Sequence, residues 1–341
     1  MIFGRRGKDR LLEAVAGFEA AVRDRDGARS ERGIREMHRH FADAAEHEVA
    51  QAGPRLSALL PQVPVEPRGL IAVIVGACVE RGAQARQCAP DVFDGLAEAL
   101  ASAGEFCARW EATGGGDLPE PRPGDPDPAV AARAGREAAA GWWTLPQWEM
   151  ASVAMLNDPS VRTGMDDGRR TELLAAVRSV RDASGHDVKC LEYALLVLDY
   201  EPLVVLHRPS GTGYALRMSG IGDNFQLHTL LADVLVGGGH VPGRAPSARE
   251  AAVCRDAPGQ VPTTGAFNLV TPAGQWVWNE GTPSDIPVVE GSRLLVLDPP
   301  PYERGWPAGR FFPGMSADVV LERVMDEDEA RGWFAHCVDA R

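Results

Sequence analysis

The stretch Leu203-Val204-Val205-Leu206-His207-Arg208-Pro209-Ser210-Gly211-Thr212-Gly213-Tyr214-Ala215-Leu216-Arg217-Met218-Ser219 decides how this 341-residue chain is read. Leu203 to Leu206 is an apolar run with two adjacent valines, and Pro209 to Gly213 is a cluster of turn formers. Beyond the cluster, Tyr214, Leu216 and Met218 alternate with Ala215, Arg217 and Ser219. Alternation of period two sends alternate side chains to one face, so the stretch predicts a β-hairpin over 203–219.

Downstream of the hairpin, short apolar runs alternate with turn formers. Gly220 to Asn224 breaks the second strand, and Phe225 to Val236 reads as a helix with Asp223 or Asn224 as its cap. Gly237-Gly238-Gly239 ends that helix, and a shorter one covers Ser247 to Arg255. Strands are expected near Ala266–Val270 and Gln275–Glu280, joined by Thr271 to Gly274, and again at Arg293–Asp298. Val319 to Val324 fits a strand or a helix, and Asp326 to Cys337 reads as a helix with acids in its first turn.

Upstream, the period is helical. Leu11, Val15, Phe18 and Val22 recur four, three and four apart, with Asp9 as a candidate cap. Ile34, Met37, Phe41, Ala45 and Ala52 give a second stripe, on one helix of about 20 residues. Leu70 to Val79 is apolar on nearly every side and is expected to be a buried helix among helical neighbours. Phe93, Leu96, Leu100, Ala103, Cys107 and Trp110 form one continuous face ending before Gly114-Gly115-Gly116. Thr144-Leu145-Pro146-Gln147 resembles a capping box, and 171–181 and 187–198 carry further helical stripes.

Between the two helical stretches, residues 113–128 hold five prolines, four glycines and four acids, a composition too polar to bury its own core. The expected organisation is therefore a helical domain over 1–112, a linker over 113–128, and helices followed by an α+β part over 129–341. The fold class is α+β, a mainly helical front followed by a small, largely antiparallel sheet with helices. Strands that come as hairpins argue against a doubly wound fold.

Composition bounds the function. The chain carries 48 acids against 35 bases, a formal charge of −13. Such a chain repels polyphosphate, and its short basic runs (Arg5, Arg6, Lys8, Arg10; Arg32, Arg35, Arg39) are interrupted by acids. The partner class expected is another protein, with no nucleic acid and no membrane. The basic residues are almost all arginine, which, with the Ala, Gly and Pro excess, reads as a GC-rich bacterial genome. No signal-peptide pattern opens the chain, the longest apolar run is too short to span a bilayer, and six scattered cysteines form no disulfide framework. These features predict a soluble cytoplasmic protein.

Nucleophile-elbow, phosphate-loop, dinucleotide, zinc-protease and EF-hand patterns are all absent, and no cofactor is indicated. Three constellations remain. Glu36, His40, Asp43 and His47, spaced four, three and four, would share a helix face and could ligate a metal, although that face lies opposite the apolar stripe and i,i+4 pairing explains it as well. No metal is the expectation. Arg217, Asp223, Asn224 and His228 surround a glycine-broken helix start, where they could orient a polar ligand or simply cap the helix. Trp276, Trp278, Asn279, Glu280, Asp285, Asp298, Tyr302 and Trp306 place polar and acidic groups beside aromatics, and two tryptophans two apart on a strand share a face that is either core or recognition surface.

Two readings of function follow. The first is an acidic, non-catalytic interaction protein, such as a toxin-neutralising or assembly partner. The second is an enzyme of an unfamiliar family with its pocket in the α+β part. Either places the site after residue 202, where strand ends and loops offer polar groups not spent on packing. A metal-binding helical protein is the third and weakest reading.

Overall fold

The structure, a computed structural model, describes residues 9–122 and 126–338; Arg5, Arg6 and Lys8 lie outside them. The chain forms two compact units that divide between Glu192 and Tyr193.

The first unit is helical. It opens with α1 (Arg10–Arg23), α2 (Gly27–Phe41) and α3 (Glu46–Ser57). The single helix expected over the second stripe is in fact two, interrupted at Ala42–Ala45. Two side chains, one distant and one local, make the break favourable. Arg81 donates to the carbonyls of Phe41 and Ala44, which a continuing helix would otherwise satisfy. The buried carboxylate of Glu48 accepts from Ala45 N at 2.9 Å and from Leu11 N at 3.0 Å, so it closes the starts of α3 and α1 together. Asp9 makes no capping bond and lies 3.1 Å from His47 instead.

The Leu70–Val79 run lies in α4 (Val65–Glu80), a buried helix as expected. The next helix, α5 (Ala85–Ala112), buries Phe93, Leu96, Leu100, Ala103 and Cys107. After α6 (Pro128–Ala134), the long α7 (Arg136–Leu156) packs on both α4 and α5. Glycine permits this approach: a Cβ on Gly95 would lie 2.1 Å from the Trp148 ring, and one on Gly141 would lie 2.3 Å from Ser102. Phe106 stacks on Trp142 with ring centroids 5.5 Å apart. Thr144 is no cap. It sits inside α7 and donates to the Ala140 carbonyl at 2.9 Å, and the helix continues through Pro146. The unit is completed by α8 (Pro159–Gly164) and α9 (Asp167–Ser184), and α10 (Lys189–Leu196) carries the chain across the division.

Thus the described residues of the stretch, 113–122 and 126–128, lie within the first unit, and the helices before and after it share one core. Its described residues are irregular but tied. Trp142 Nε1 donates to the Pro119 carbonyl at 2.7 Å, and the Arg133 guanidinium lies 3.8 Å from the Trp110 ring centroid while its Nε donates to Thr113 Oγ1.

The second unit is α+β. The hairpin is β1 (Glu201–His207) and β2 (Thr212–Ser219), antiparallel with Leu203 opposite Leu216 and Val205 opposite Tyr214. After α11 (Asn224–Ala232) and α12 (Ala248–Arg255) come β3 (Val261–Thr264), β4 (Asn268–Val270), β5 (Val288–Val289), β6 (Ser292–Asp298), β7 (Gly305–Ala308), β8 (Asp318–Val324) and α13 (Glu327–Phe334). The main sheet runs β4-β6-β1-β2-β8, with β5 on β6, and β3 pairs separately with β7. β1 and β6 are parallel and the other pairings antiparallel, so the sheet is mixed rather than purely antiparallel.

Burial explains the two densest apolar runs. Leu203, Val205, Leu295 and Leu297 join Leu227, Leu230 and Leu231 of α11 in one core. Val204, Leu206, Leu294 and Val296 point the other way, into a second core with Met325 and Ala330. Strands covered on both faces need apolar side chains at every position, not at alternate ones.

The strand expected at Gln275–Glu280 is replaced by an irregular segment with one bridge, Val270 to Trp276. Its backbone oxygens are engaged by a helix. Asn279 O accepts from Phe225 N at 3.1 Å and Gly281 O accepts from Asn224 N at 2.9 Å, both at the start of α11. These orphan N–H groups of a helix terminus find partners in the loop, which consequently leaves the sheet.

Candidate functional site

The metal constellation does not assemble. The break between α2 and α3 puts Asp43 in the turn and His47 on the next helix, so the four residues do not share a face. Glu36 chelates Arg39 at 2.7 and 2.8 Å and lies 3.4 Å from His40, while His47 pairs with Asp9. Among the described residues no group of three or more His, Cys, Asp or Glu is placed to hold a metal.

In the second unit, the candidates around α11 and the loop after β4 come together in two layers. The inner layer is a set of pins. Asp223 caps α11, accepting from Gln226 N at 2.8 Å. Asn224, fully buried, donates from Nδ2 to the carbonyls of Trp278 (2.9 Å) and Thr282 (3.2 Å). Asp285 Oδ2 accepts from Thr282 N at 2.8 Å and so closes the same loop. One turn along α11, His228 stacks on Phe267 at 4.7 Å and meets the edge of Trp306 at 4.8 Å. Its Nε2 accepts from Ala266 N at 3.0 Å, which puts the proton of the neutral ring on Nδ1.

Burial drives the His228 pKa down to about 3, and the nearby Arg304 charge lowers it further against the opposing Asn279 side chain. His228 is therefore neutral across the ordinary pH range. Its faces are covered by rings and one nitrogen is committed to the backbone. The loop carbonyls occupy the first N–H groups of α11, so that terminus is not an anion cradle. Four buried polar atoms in this layer have no hydrogen-bond partner: Asn224 Oδ1, His228 Nδ1, Arg304 Nε and Trp306 Nε1.

The outer layer is aromatic. Val277 turns inward and is buried, which sends Trp276 and Trp278 outward. Trp276 is 37% exposed, Trp278 66% and Tyr302 57%. Trp276 lies 5.8 Å from Trp278 and 6.4 Å from Tyr302 by ring centroids, so the three rings form one cluster. The Arg304 guanidinium sits 5.7 Å from the centroids of both Trp276 and Tyr302, steadied by Asn268 Oδ1 at 3.1 Å. Glu280 and Glu303 are exposed beside the cluster in sequence.

Arg217 stands apart from this group. It lies on β2, paired with Glu322 at 2.7 Å and bonded to the Tyr200 carbonyl. Asp298 likewise holds Arg208 at 2.6 Å. Trp306 is buried, so it belongs to the inner layer rather than the exposed cluster. Sequence reasoning had Asn279 in the aromatic group but missed Arg304 and Thr282. The signal for Arg304 was its position two residues after Tyr302 in a proline-rich, acidic loop, where an arginine within reach of exposed rings finds a cation–π partner.

No helix among the described residues is long and apolar enough to cross a membrane. The chain matches no family model, no curated protein and no solved structure.

Proposed function

We propose that this chain is a non-catalytic protein-interaction module whose recognition surface is the Trp276–Trp278–Tyr302 cluster. One observation carries the reading: three large rings are held outward in a single group beside an arginine. Trp142, Trp143, Trp148 and Trp306 are all buried, so the outward pair is not a general failure to bury rings. Tryptophan, tyrosine and arginine are the side chains that dominate binding energy at protein interfaces. Residence in the cytoplasm is part of the proposal, supported by six cysteines that are all free.

The test is a photo-crosslinking amino acid at the exposed position Ala273, introduced in the cell that makes the chain. A discrete protein adduct is expected, lost in the Trp278→Ala Tyr302→Ala double variant, with the adduct partner binding the purified chain directly. No adduct, or one that survives the double variant, overturns the reading.

The second reading, an enzyme or small-ligand protein, is favoured by the four unpartnered polar atoms around His228, since buried polar groups normally find partners. It predicts that a small polar molecule shifts the Trp306 indole N–H resonance while Trp278 is unaffected. A screen of small polar metabolites that moves no Trp306 signal counts against it.

A further inference from the structure

The aromatic cluster also carries information about the chemistry of its partner, an argument that rests on the recognition reading above. We propose that the surface takes a basic segment of a partner protein, with an arginine or lysine side chain laid against the rings. The protein supplies its own precedent: the Arg304 guanidinium lies 5.7 Å from the Trp276 and Tyr302 centroids, within the reach of a cation–π contact. That guanidinium is tethered by Asn268 Oδ1 and the Phe267 carbonyl. The nearest free charges in sequence have the opposite sign. Glu280, two residues after Trp278, and Glu303, next to Tyr302, are exposed, and neither carboxylate has an ion-pair partner among the described residues. Two unpaired carboxylates beside exposed rings attract a cation and repel a phosphate or an acidic peptide, and the −13 charge of the chain favours encounter with a basic partner.

Ring geometry argues the same way. Trp276 and Trp278 are inclined at 60°, and Trp276 and Tyr302 at 49°. Rings so inclined share no common plane on which one flat group could stack across two of them. They do offer walls against which the methylene stem of a lysine or arginine can lie while its charged head stays in water.

The experiment uses the full chain and four fluorescein-labelled peptides in which glycine alternates with arginine, lysine, alanine or glutamate, read by anisotropy at low and at physiological salt. The arginine and lysine peptides are expected to bind and the other two not. Trp278→Ala weakens binding about fivefold. Glu280→Gln and Glu303→Gln each weaken it about threefold and flatten its salt dependence. All three side chains are exposed, so these variants retain the fold. Overturning results are a failure of the basic peptides to bind, equal binding of the alanine or glutamate peptide, or basic-peptide binding that ignores Trp278→Ala combined with Tyr302→Ala. Alanine-peptide binding that requires Trp278 overturns the cation preference alone. Absence of an Ala273 adduct in the parent chain, or its survival in the double variant, overturns the recognition reading beneath it.

Discussion

His228 makes the second unit acid-sensitive by an amount that can be worked from its surroundings. The ring is neutral, stacked on Phe267, and accepts a hydrogen bond from Ala266 N. Its pKa lies near 3 in the folded protein, against about 6.5 in an unfolded chain. Above pH 6.5 neither state holds the proton, and the residue has no effect on the pH dependence. Between pH 6.5 and 3 the unfolded chain binds a proton that the folded chain refuses, so stability falls as the pH falls. The loss is about 1.4 kcal/mol per pH unit, hence about 2 to 3 kcal/mol at pH 4.5. A domain has only about 5–15 kcal/mol to lose. His207, also lowered by burial, acts in the same direction, and the carboxylates add their own dependence.

Those contributions are shared by a His228→Gln variant, which keeps an acceptor for Ala266 N but cannot titrate. At pH 7.5 the variant should be less stable than the parent by about 1–3 kcal/mol, for the lost ring packing. That gap should close as the pH approaches 4.5. Urea unfolding at half-unit pH steps, read by tryptophan fluorescence, gives the two curves. Parallel curves between pH 7 and 4, or a His228 proton resonance that titrates near 6.5, would refute the reasoning.

Three further outcomes follow from the first unit. Cleavage between Gly114 and Arg122 should leave a nicked protein that still elutes as one species, because α5 and α7 share a core across the cut; two separating fragments would show that the packing is weak. Gly95→Ala should cost about 1–3 kcal/mol, measured as a lower denaturation midpoint, because its Cβ would strike the Trp148 ring; an unchanged midpoint would mean the ring moves freely. Arg162→Ala should cost about 2 kcal/mol, since its buried guanidinium donates to the carbonyls of Leu156 and Asn157 at the end of α7, and a Lys replacement should recover only part of this.

What the sequence revealed was local. The hairpin over 203–219, the Leu70–Val79 helix and the stripe from Phe93 to Cys107 lie where periodicity alone puts them, since in each the chain packs as its own pattern directs. The departures come from side chains distant in sequence. Arg81 divides one expected helix into two, with Glu48 closing the start of α3 locally, and the break dissolves the face that would have aligned Glu36, His40, Asp43 and His47. Asn224 and the first N–H groups of α11 draw the backbone of 278–282 away from the sheet. Neither event leaves a periodic trace, because the deciding partner is dozens of residues away.

The same reasoning explains why the candidate site was visible as a group yet unsorted. Trp278 and Trp306 are the same residue type, and only the structure puts one in an irregular segment as a surface ring and the other on β7 as an interior one. The segment 276–282 serves both layers at once. Its carbonyls bind α11 on the inside, and that attachment aims the rings of Trp276 and Trp278 outward. Asn224 and His228 would thus act on the proposed recognition surface without touching a partner. Substituting them should weaken binding through the position of the loop, accompanied by a loss of stability, whereas substituting Trp278 should weaken binding with stability unchanged. The residues that a scan of types collects into one site therefore separate into those that hold the surface in place and those that form it.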